Sequence, residues 1–513
     1  MSSAPESAPP STYVLPDRRP WQMVVLGVVF LAALVVRVER TNRPPVISTP
    51  TRQYRSALIA RAYYFRNLDS VPEWQKRVVA SNRAKEGLLE APIMEHLALL
   101  GYRITGGEHL WIPRSLSSLF WVIGGVFLYL TAKRVSSPDA ALVATVFYLF
   151  VPYGVITSRT FQRDPMMIMF LLIGVFALVR YADHRSLRWL ITAGVASALS
   201  IFVKPITFFP LFGAAVALTV TRKGFRRAVL DPHLLLFTVI ALAPAAVYTL
   251  YGLFVGGFLT EQAGRSFFPE TVLKPFFWHG WIVQIRKTVG HLALCLGLLG
   301  IFAFRQAFAR ALALGLWIGY VVFGLVFNYG IHTHAYYQLM LIPIIALSLA
   351  PLAELVLGWL HQQPRLRWVT RGVLVLGVGL VLEPVLWRRA DPRLDRVVEL
   401  REEIGDVVGH STKTLILDRN NGSILKYHGM MCGDWWPTPA HFRLYAFQGL
   451  PEIDAATRLD AMIKELEPEY FIVADMGEYK KQSDLKDVLT TRYPVFRETD
   501  DYVIFDLKTR IDL

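Results

Sequence analysis

Charge is what this sequence has least of. Asp, Glu, Lys and Arg make up 18% of its 513 residues, where a water-soluble chain carries about a quarter. Cysteine is nearly absent as well. Cys295 lies inside an apolar run and Cys432 in a polar tail, which argues against a disulfide between them, and no Cys/His metal spacing is present. No Gly-rich loop follows any candidate strand, so the usual nucleotide phosphate cradle has no support. No internal repeat is evident. The Ser/Pro-rich stretch 1–20 lacks an apolar run and reads as a disordered cytoplasmic tail. The run from Trp21 to Val36 has no small-residue cleavage site after it, and so reads as an uncleaved span.

What is abundant is apolar sequence in blocks. Hydrophobic residues make up 53% of the chain, in runs at 21–37, 114–132, 139–157, 165–181, 187–203, 205–221, 233–255, 288–304, 309–327, 335–358 and 369–387. A helix of about 20 apolar residues crosses a bilayer core of about 30 Å, and these runs show almost no polar face at the helical period. About eleven spans are expected. Lys133-Arg134, Arg180 to Arg188, Arg222 to Arg227, Arg305 to Arg310 and Arg365 to Arg371 fall in alternate connections. With Arg18-Arg19, those connections are read as cytoplasmic. The net charge of +14 is then explained by inner loops, with no need for nucleic acid as a partner. An odd number of spans puts the C-terminal tail outside the cell membrane.

The expected fold is therefore a polytopic α-helical membrane protein over 21–387 with a small extracytoplasmic α/β domain over 388–513. Its first outer loop, 38–113, holds two stretches too polar to span, Tyr54 to Asn67 and Leu88 to Ile104, which read as interfacial amphipathic helices. A later outer loop carries Phe267-Phe268, Trp278 and Trp281, suited to headgroup depth. In the tail, helices are expected at Asp395 to Val408, Ala455 to Leu466 and Ser483 to Thr491. Strands are expected at Thr414 to Asp418, Tyr470 to Asp475 and Tyr502 to Leu507.

Ionisable groups at the outer ends of spans are the candidates for chemistry, because charge in lipid is costly. Ser158, Arg159, Gln162, Arg163 and Asp164 fill the short turn between two spans, and Asp164 either caps the next helix or faces an outer cavity. Lys204 stands before Pro205 at the outer end of a span, where it either snorkels to headgroups or pairs with a lipid phosphate. Arg52, Gln53 and Arg61 lie on the first interfacial stretch, and a guanidinium fork suits phosphate. His332, His334, Tyr336 and Tyr337 precede a late span. The histidines are too few for a metal site and suit hydrogen bonds to phosphate or sugar, while the tyrosines also fit an interface belt. Glu90 and Glu95 are placed on the second interfacial helix, about 140° apart around its axis.

Taken in order, Glu90 and Pro92, Gly106, Arg114 to Ser117, Ser158-Arg159 with Asp164-Pro165, Lys204-Pro205, His334 with Tyr336-Tyr337, and the tail segment LKYHGMMCGDWWP resemble the GT-C class of membrane glycosyltransferases. The similar types are protein O-mannosyltransferases and the transferases that put aminoarabinose on lipid A. The resemblance runs along nearly the whole chain. It implies sugar transfer from a polyprenyl phosphate to an acceptor at the outer surface, with inversion and without a nucleotide or an obligatory metal. It also implies that Lys204, Arg52 and Arg61 hold the donor phosphate while a carboxylate accepts a proton. Relatives carry an acidic residue or pair just after the first span, and this chain has Thr51-Arg52-Gln53 there. Asp164 is the first replacement candidate and Glu90 the second. A transporter of polyprenyl-linked sugars and an inactive binding protein are the competing readings.

The topology has its own test. Lys480→Cys, in a chain freed of Cys295 and Cys432, is expected to react with an impermeant thiol reagent in intact cells. Protection until lysis would reverse the orientation.

Overall fold

The computed structural model describes residues 19–39, 41–66, 68–87, 90–258, 268–363 and 393–511. The expected span at 369–387 and the basic stretch from Arg365 to Arg371 lie outside the described residues. The chain divides into two compact units. One comprises Met1–Thr41, Leu88–Ile93 and Arg114–Arg389, and the other Asn42–Gly87, Met94–Pro113 and Ala390–Leu513. Most of the first outer loop thus groups with the C-terminal region, although the sequence reading had assigned it to the membrane domain.

The first unit is helical throughout its described residues. Six helices are long and apolar enough to cross a membrane: Trp111–Val135, Asp164–His184, Pro205–Lys223, Pro232–Phe254, Ala307–Val326 and Ala335–Leu360. Among the described residues the count becomes seven if Pro275–Thr288 and His291–Ala303, which meet at 96°, form one span. The bend falls at Gly290, whose φ of +79° ends the first helix at little steric cost. Of the eleven expected runs, those at 21–37 and 187–203 form shorter helices, Gln22–Val38 and Leu187–Val203. The run at 139–157 is split at Pro152, where one helix stops at Phe150 and another runs Pro152–Thr157. Along Arg19–Val38, exposed Val24, Val28, Leu31 and Val35 form a single apolar stripe, as a lipid-facing surface requires.

Glycine lets helices approach closely. Phe208–Lys223 packs on Ala307–Val326 so closely that a Cβ at Gly213 would run into the Gly315 carbonyl, and one at Gly319 into the Phe209 carbonyl. Small residues let backbones approach where no hydrophobic effect between helices is available. Trp278 is exposed, as an interface residue should be, but Trp281 is buried and donates to the Tyr320 hydroxyl at 2.8 Å.

The second unit is built on a five-stranded sheet of order β2-β1-β3-β5-β4, with β1 Thr414–Leu417, β2 Asp434–Trp435, β3 Tyr470–Val473, β4 Val495–Glu498 and β5 Val503–Asp506. The first three in that order are parallel, and β5 pairs antiparallel with both β3 and β4. Leu415, Leu417, Phe471, Val473, Val503 and Phe505 pack on one face with Leu459, Leu485 and Leu489. Ile416, Ile472 and Ile504 face the other way, onto Leu400, Ile404 and Leu425. This is the two-residue alternation of strands covered on both sides. The three expected strands and three expected helices are present. The two missed strands are the two-residue β2 and β4, every residue of which is exposed.

The helices of the stretch 38–113 are Pro50–Phe65, Glu73–Lys85 and Ile93–Thr105. The middle one was not foreseen. The tail segment LKYHGMMCGDWWP clasps them: Lys426 pairs with Glu86 at 2.9 Å, Asn82 donates to the Met431 carbonyl at 3.0 Å, and Lys85 pairs with Asp434. His428 meets the Tyr54 hydroxyl at 2.8 Å. Burial, with Arg61 and Arg401 nearby, lowers the His428 pKa to about 4. The unfolded chain therefore takes up a proton near pH 6.5 that the folded chain refuses until about pH 4, so stability is full above pH 6.5 and falls below it. At pH 5 the loss from this group is about 2 kcal/mol. Melting curves at pH 7.5 and 5.0 should show that drop, and His428→Gln should flatten it. An unchanged pH dependence in the variant would refute the assignment.

Candidate functional site

In the first unit the chemistry-bearing side chains gather where three helical segments begin or break. Lys204 is held in an extended conformation (φ −158°, ψ 112°) because Pro205 disfavours the helical region for the residue before it. The helix Leu187–Val203 therefore stops, and Lys204 occupies the break. Its ammonium donates to Asp164 Oδ1 at 2.8 Å, with Asp164 and Lys204 only 3% and 4% exposed. Asp164 is the first residue of its own helix, whose N-cap position belongs to Arg163. The carboxylate is thus an ion-pair partner, not the helix cap that the sequence allowed. Ser200 ties the two helices together, donating to the Met167 carbonyl at 2.9 Å.

Two aromatic rings complete this group. The Lys204 ammonium lies 5.2 Å from the Tyr336 ring centre and 5.4 Å from that of Tyr337, within cation–π range. The His334 ring packs 5.1 Å from Tyr336. His332 turns elsewhere: its ring lies 5.6 Å from Phe277, and Nδ1 contacts the Asn328 carbonyl at 2.6 Å. The two histidines share Tyr329 as a ring neighbour, at 5.8 and 6.3 Å, but only His334 packs on Tyr336. Glu90 is not on the second interfacial helix, which starts only at Ile93 after Pro92; it pairs with Arg163 at 3.0 Å. Glu90–Arg163 and Asp164–Lys204 are thus two ion pairs on consecutive residues.

The turn that carries these residues is pinned from several sides. Arg37, fully buried, donates to Ser158 Oγ at 2.8 Å and to the Leu149 carbonyl. Arg114 donates to the Arg159 carbonyl at 2.9 Å, Ser117 to that of Gln162 at 3.0 Å, and Ser118 to that of Ser158 at 3.1 Å. Arg159 reaches the Val36 carbonyl at 3.3 Å. Arg37 was missed in the sequence because an arginine at the end of an apolar run looks like an ordinary flanking cation.

The remaining candidates belong to the second unit. Arg52 and Gln53 lie in the first turn of Pro50–Phe65; Gln53 is buried and donates to the Ser48 carbonyl at 2.6 Å. Arg61, expected to grip phosphate, is committed to protein groups: Glu108 at 2.8 Å, the Tyr427 carbonyl at 2.6 Å and the face of the Tyr427 ring at 3.7 Å. Burial alone would lower its pKa, but Glu108 and Tyr427 more than offset this and raise it. Glu95, also buried, accepts from Ser56 at 2.7 Å.

Parts of the chain are similar to known proteins in sequence, and the whole of it in fold. Residues 90–251 match the family model for dolichyl-phosphate-mannose-protein mannosyltransferase. This interval holds Glu90, Arg159, Asp164 and Lys204. The structure of ArnT from Cupriavidus metallidurans bound to undecaprenyl phosphate superposes with a TM-score of 0.57 at 12% identity, covering 95% of this chain and 98% of that one. The fold is GT-C. A second GT-C structure, the oligosaccharyltransferase AglB from Archaeoglobus fulgidus in complex with an inhibitory peptide and a dolichol-phosphate, gives a TM-score of 0.54 at 13% identity over 93% of this chain and 72% of that one. In sequence, 114 residues are 32% identical to the putative mannosyltransferase YycA of Bacillus subtilis, and 147 are 26% identical to the lipid A galacturonosyltransferase RgtD of Rhizobium johnstonii. The aligned stretches span 16% and 30% of those two relatives and 21% and 29% of this chain.

A buried ion pair in a GT-C membrane unit makes a stability prediction. Removing one partner strands the other charge and costs about 3–5 kcal/mol, whereas replacing both with apolar residues is close to neutral. Asp164→Asn and Lys204→Met should each lower the melting temperature of detergent-purified protein, and the pair Asp164→Leu with Lys204→Met should recover most of the loss. Additive losses in the double variant would contradict this coupling.

Proposed function

We propose that this chain is an integral membrane glycosyltransferase that moves a sugar from a polyprenyl phosphate to an acceptor on the extracytoplasmic face of the cell membrane. The observation that carries the reading is the buried Asp164–Lys204 pair facing Tyr336 and Tyr337. An ammonium has three N–H donors. In this reading the same ammonium that holds Asp164 also donates to the donor phosphate. In this reading the acceptor heteroatom attacks the anomeric carbon, the bond from that carbon to the phosphate oxygen breaks, and its electron pair leaves with polyprenyl phosphate. Lys204 stabilises the charge that gathers there, which is catalysis by a fixed counter-charge. Asp164 takes the proton released by the acceptor. Glu90 holds Arg163, and Tyr336, Tyr337 and His334 wall the site. A single displacement of this kind inverts the anomeric centre.

The support is the geometry of these residues together with the GT-C fold and the polyprenyl phosphates bound in structures that share it. The test is release of undecaprenyl phosphate from an undecaprenyl-phosphate-linked sugar by purified protein. Asp164→Asn should slow release by about 10²–10⁴-fold, as loss of a general base does. Glu90→Gln should cost about tenfold, the effect of a misplaced Arg163. The opposite order of effects would assign the base to Glu90. Passage of the intact sugar lipid between leaflets, without cleavage, would replace the enzyme with a transporter.

A further inference from the structure

The second unit contains a cleft of about 470 Å³ lined by Trp74, Arg77, Val78, the loop from Gly409 to Lys413, and Glu469. That is the size of a small-molecule site. Its aromatic edge is rigid. Trp74 stacks on His410 with ring centres 4.3 Å apart and planes 15° from parallel. His410 is itself fixed, with Nδ1 at 3.0 Å from the Gly429 carbonyl and Nε2 at 3.5 Å from Asp406. The loop turns through two successive left-handed residues, Gly409 at φ 58° and His410 at φ 54°. For a residue with a Cβ this conformation is uncommon and costs about 1 kcal/mol or more.

Polar groups face the same space. Ser411 donates to Glu469 Oε2 at 2.8 Å and accepts from the Lys413 amide at 3.1 Å, which orders the loop. Lys413 lies 3.5 Å from Glu467, but the two side chains are 53% and 79% exposed, so water screens the pair. Arg77 is exposed and makes no ion pair among the described residues. A broad indole, hydroxyls, one carboxylate and two cations are a specific combination. An apolar ligand would desolvate the charges without return. A bare phosphate would make no use of the ring. A pyranose offers a C–H face to stack on the indole and hydroxyls for Glu469 and Thr412, and an acidic group on it would meet the Arg77 fork.

We infer that this cleft binds an acidic saccharide, its sugar ring on Trp74 and its carboxylate or phosphate on Arg77. The inference does not rest on the transfer reaction proposed above. Titration calorimetry on the full-length protein in detergent tests it with trigalacturonate, mannose 6-phosphate, maltotriose and inorganic phosphate. At least one acidic sugar should bind about tenfold tighter than maltotriose, and the tighter of the two identifies the anion. Trp74→Ala should weaken it by about tenfold while Trp74→Phe retains it, and Arg77→Gln should erase the preference for the acidic sugar. Arg77→Gln is a surface change, so it remains informative if Trp74→Ala fails to fold. No binding by any sugar, binding indifferent to both positions, or phosphate binding as tightly as the acidic sugars would each overturn the inference. Undecaprenyl phosphate release is measured separately, so loss of one activity without the other shows which reading fails.

Discussion

A charge removed from water must find a partner, and in the membrane unit that requirement organises everything near the candidate site. Asp164 answers Lys204, Glu90 answers Arg163, and Arg37 is satisfied by Ser158 and the Leu149 carbonyl. None of these partners is a sequence neighbour. Each pair therefore fixes one chain segment against another, and the short turn from Ser158 to Asp164 becomes the point where several segments are tied together. The same contacts that make the turn stable leave an ammonium close to two tyrosine rings. In a low-dielectric setting, such a fixed charge acts on a phosphate more strongly than it would in water.

The second unit uses the same principle in a wetter setting. Arg61 is held by Glu108 and Tyr427, and Lys426 by Glu86. These contacts bind the helices of the stretch 38–113 to the tail, so the segment LKYHGMMCGDWWP acts as a clasp. The resemblance had pointed to that segment and to Arg61 for their likeness to relatives. Physically, both are accounted for by contacts inside the protein, which shifts the burden of phosphate binding in the proposed mechanism to Lys204.

Much of the fold was legible. Apolar blocks, basic loops and alternating tail elements follow from composition and period, which are local properties. Lys204 stood out in the sequence as a lysine between apolar flanks and a proline, but its pairing with Asp164 was not legible there. Boundaries were less so: Glu90 read as helical until Pro92 moved the helix start to Ile93, and Pro152 split what composition presented as one run. β2 escaped because two residues carry no periodicity, and β4 because neither of its faces is buried. Arg37 and Glu108 escaped because nothing adjacent to them in the chain signals burial.

By itself, the sequence determined that this chain enters a membrane repeatedly and carries a polar α/β region, because hydropathy and strand alternation are written residue by residue. It also supplied the inventory of charges near the ends of the apolar runs. Tertiary structure alone decided which of those charges face one another: that Asp164 meets Lys204 rather than capping its helix, that Arg61 is committed to Glu108, and that Trp74 lies on His410. Pairing energies depend on distances of a few ångströms between residues far apart in the chain, and no local pattern encodes such a distance.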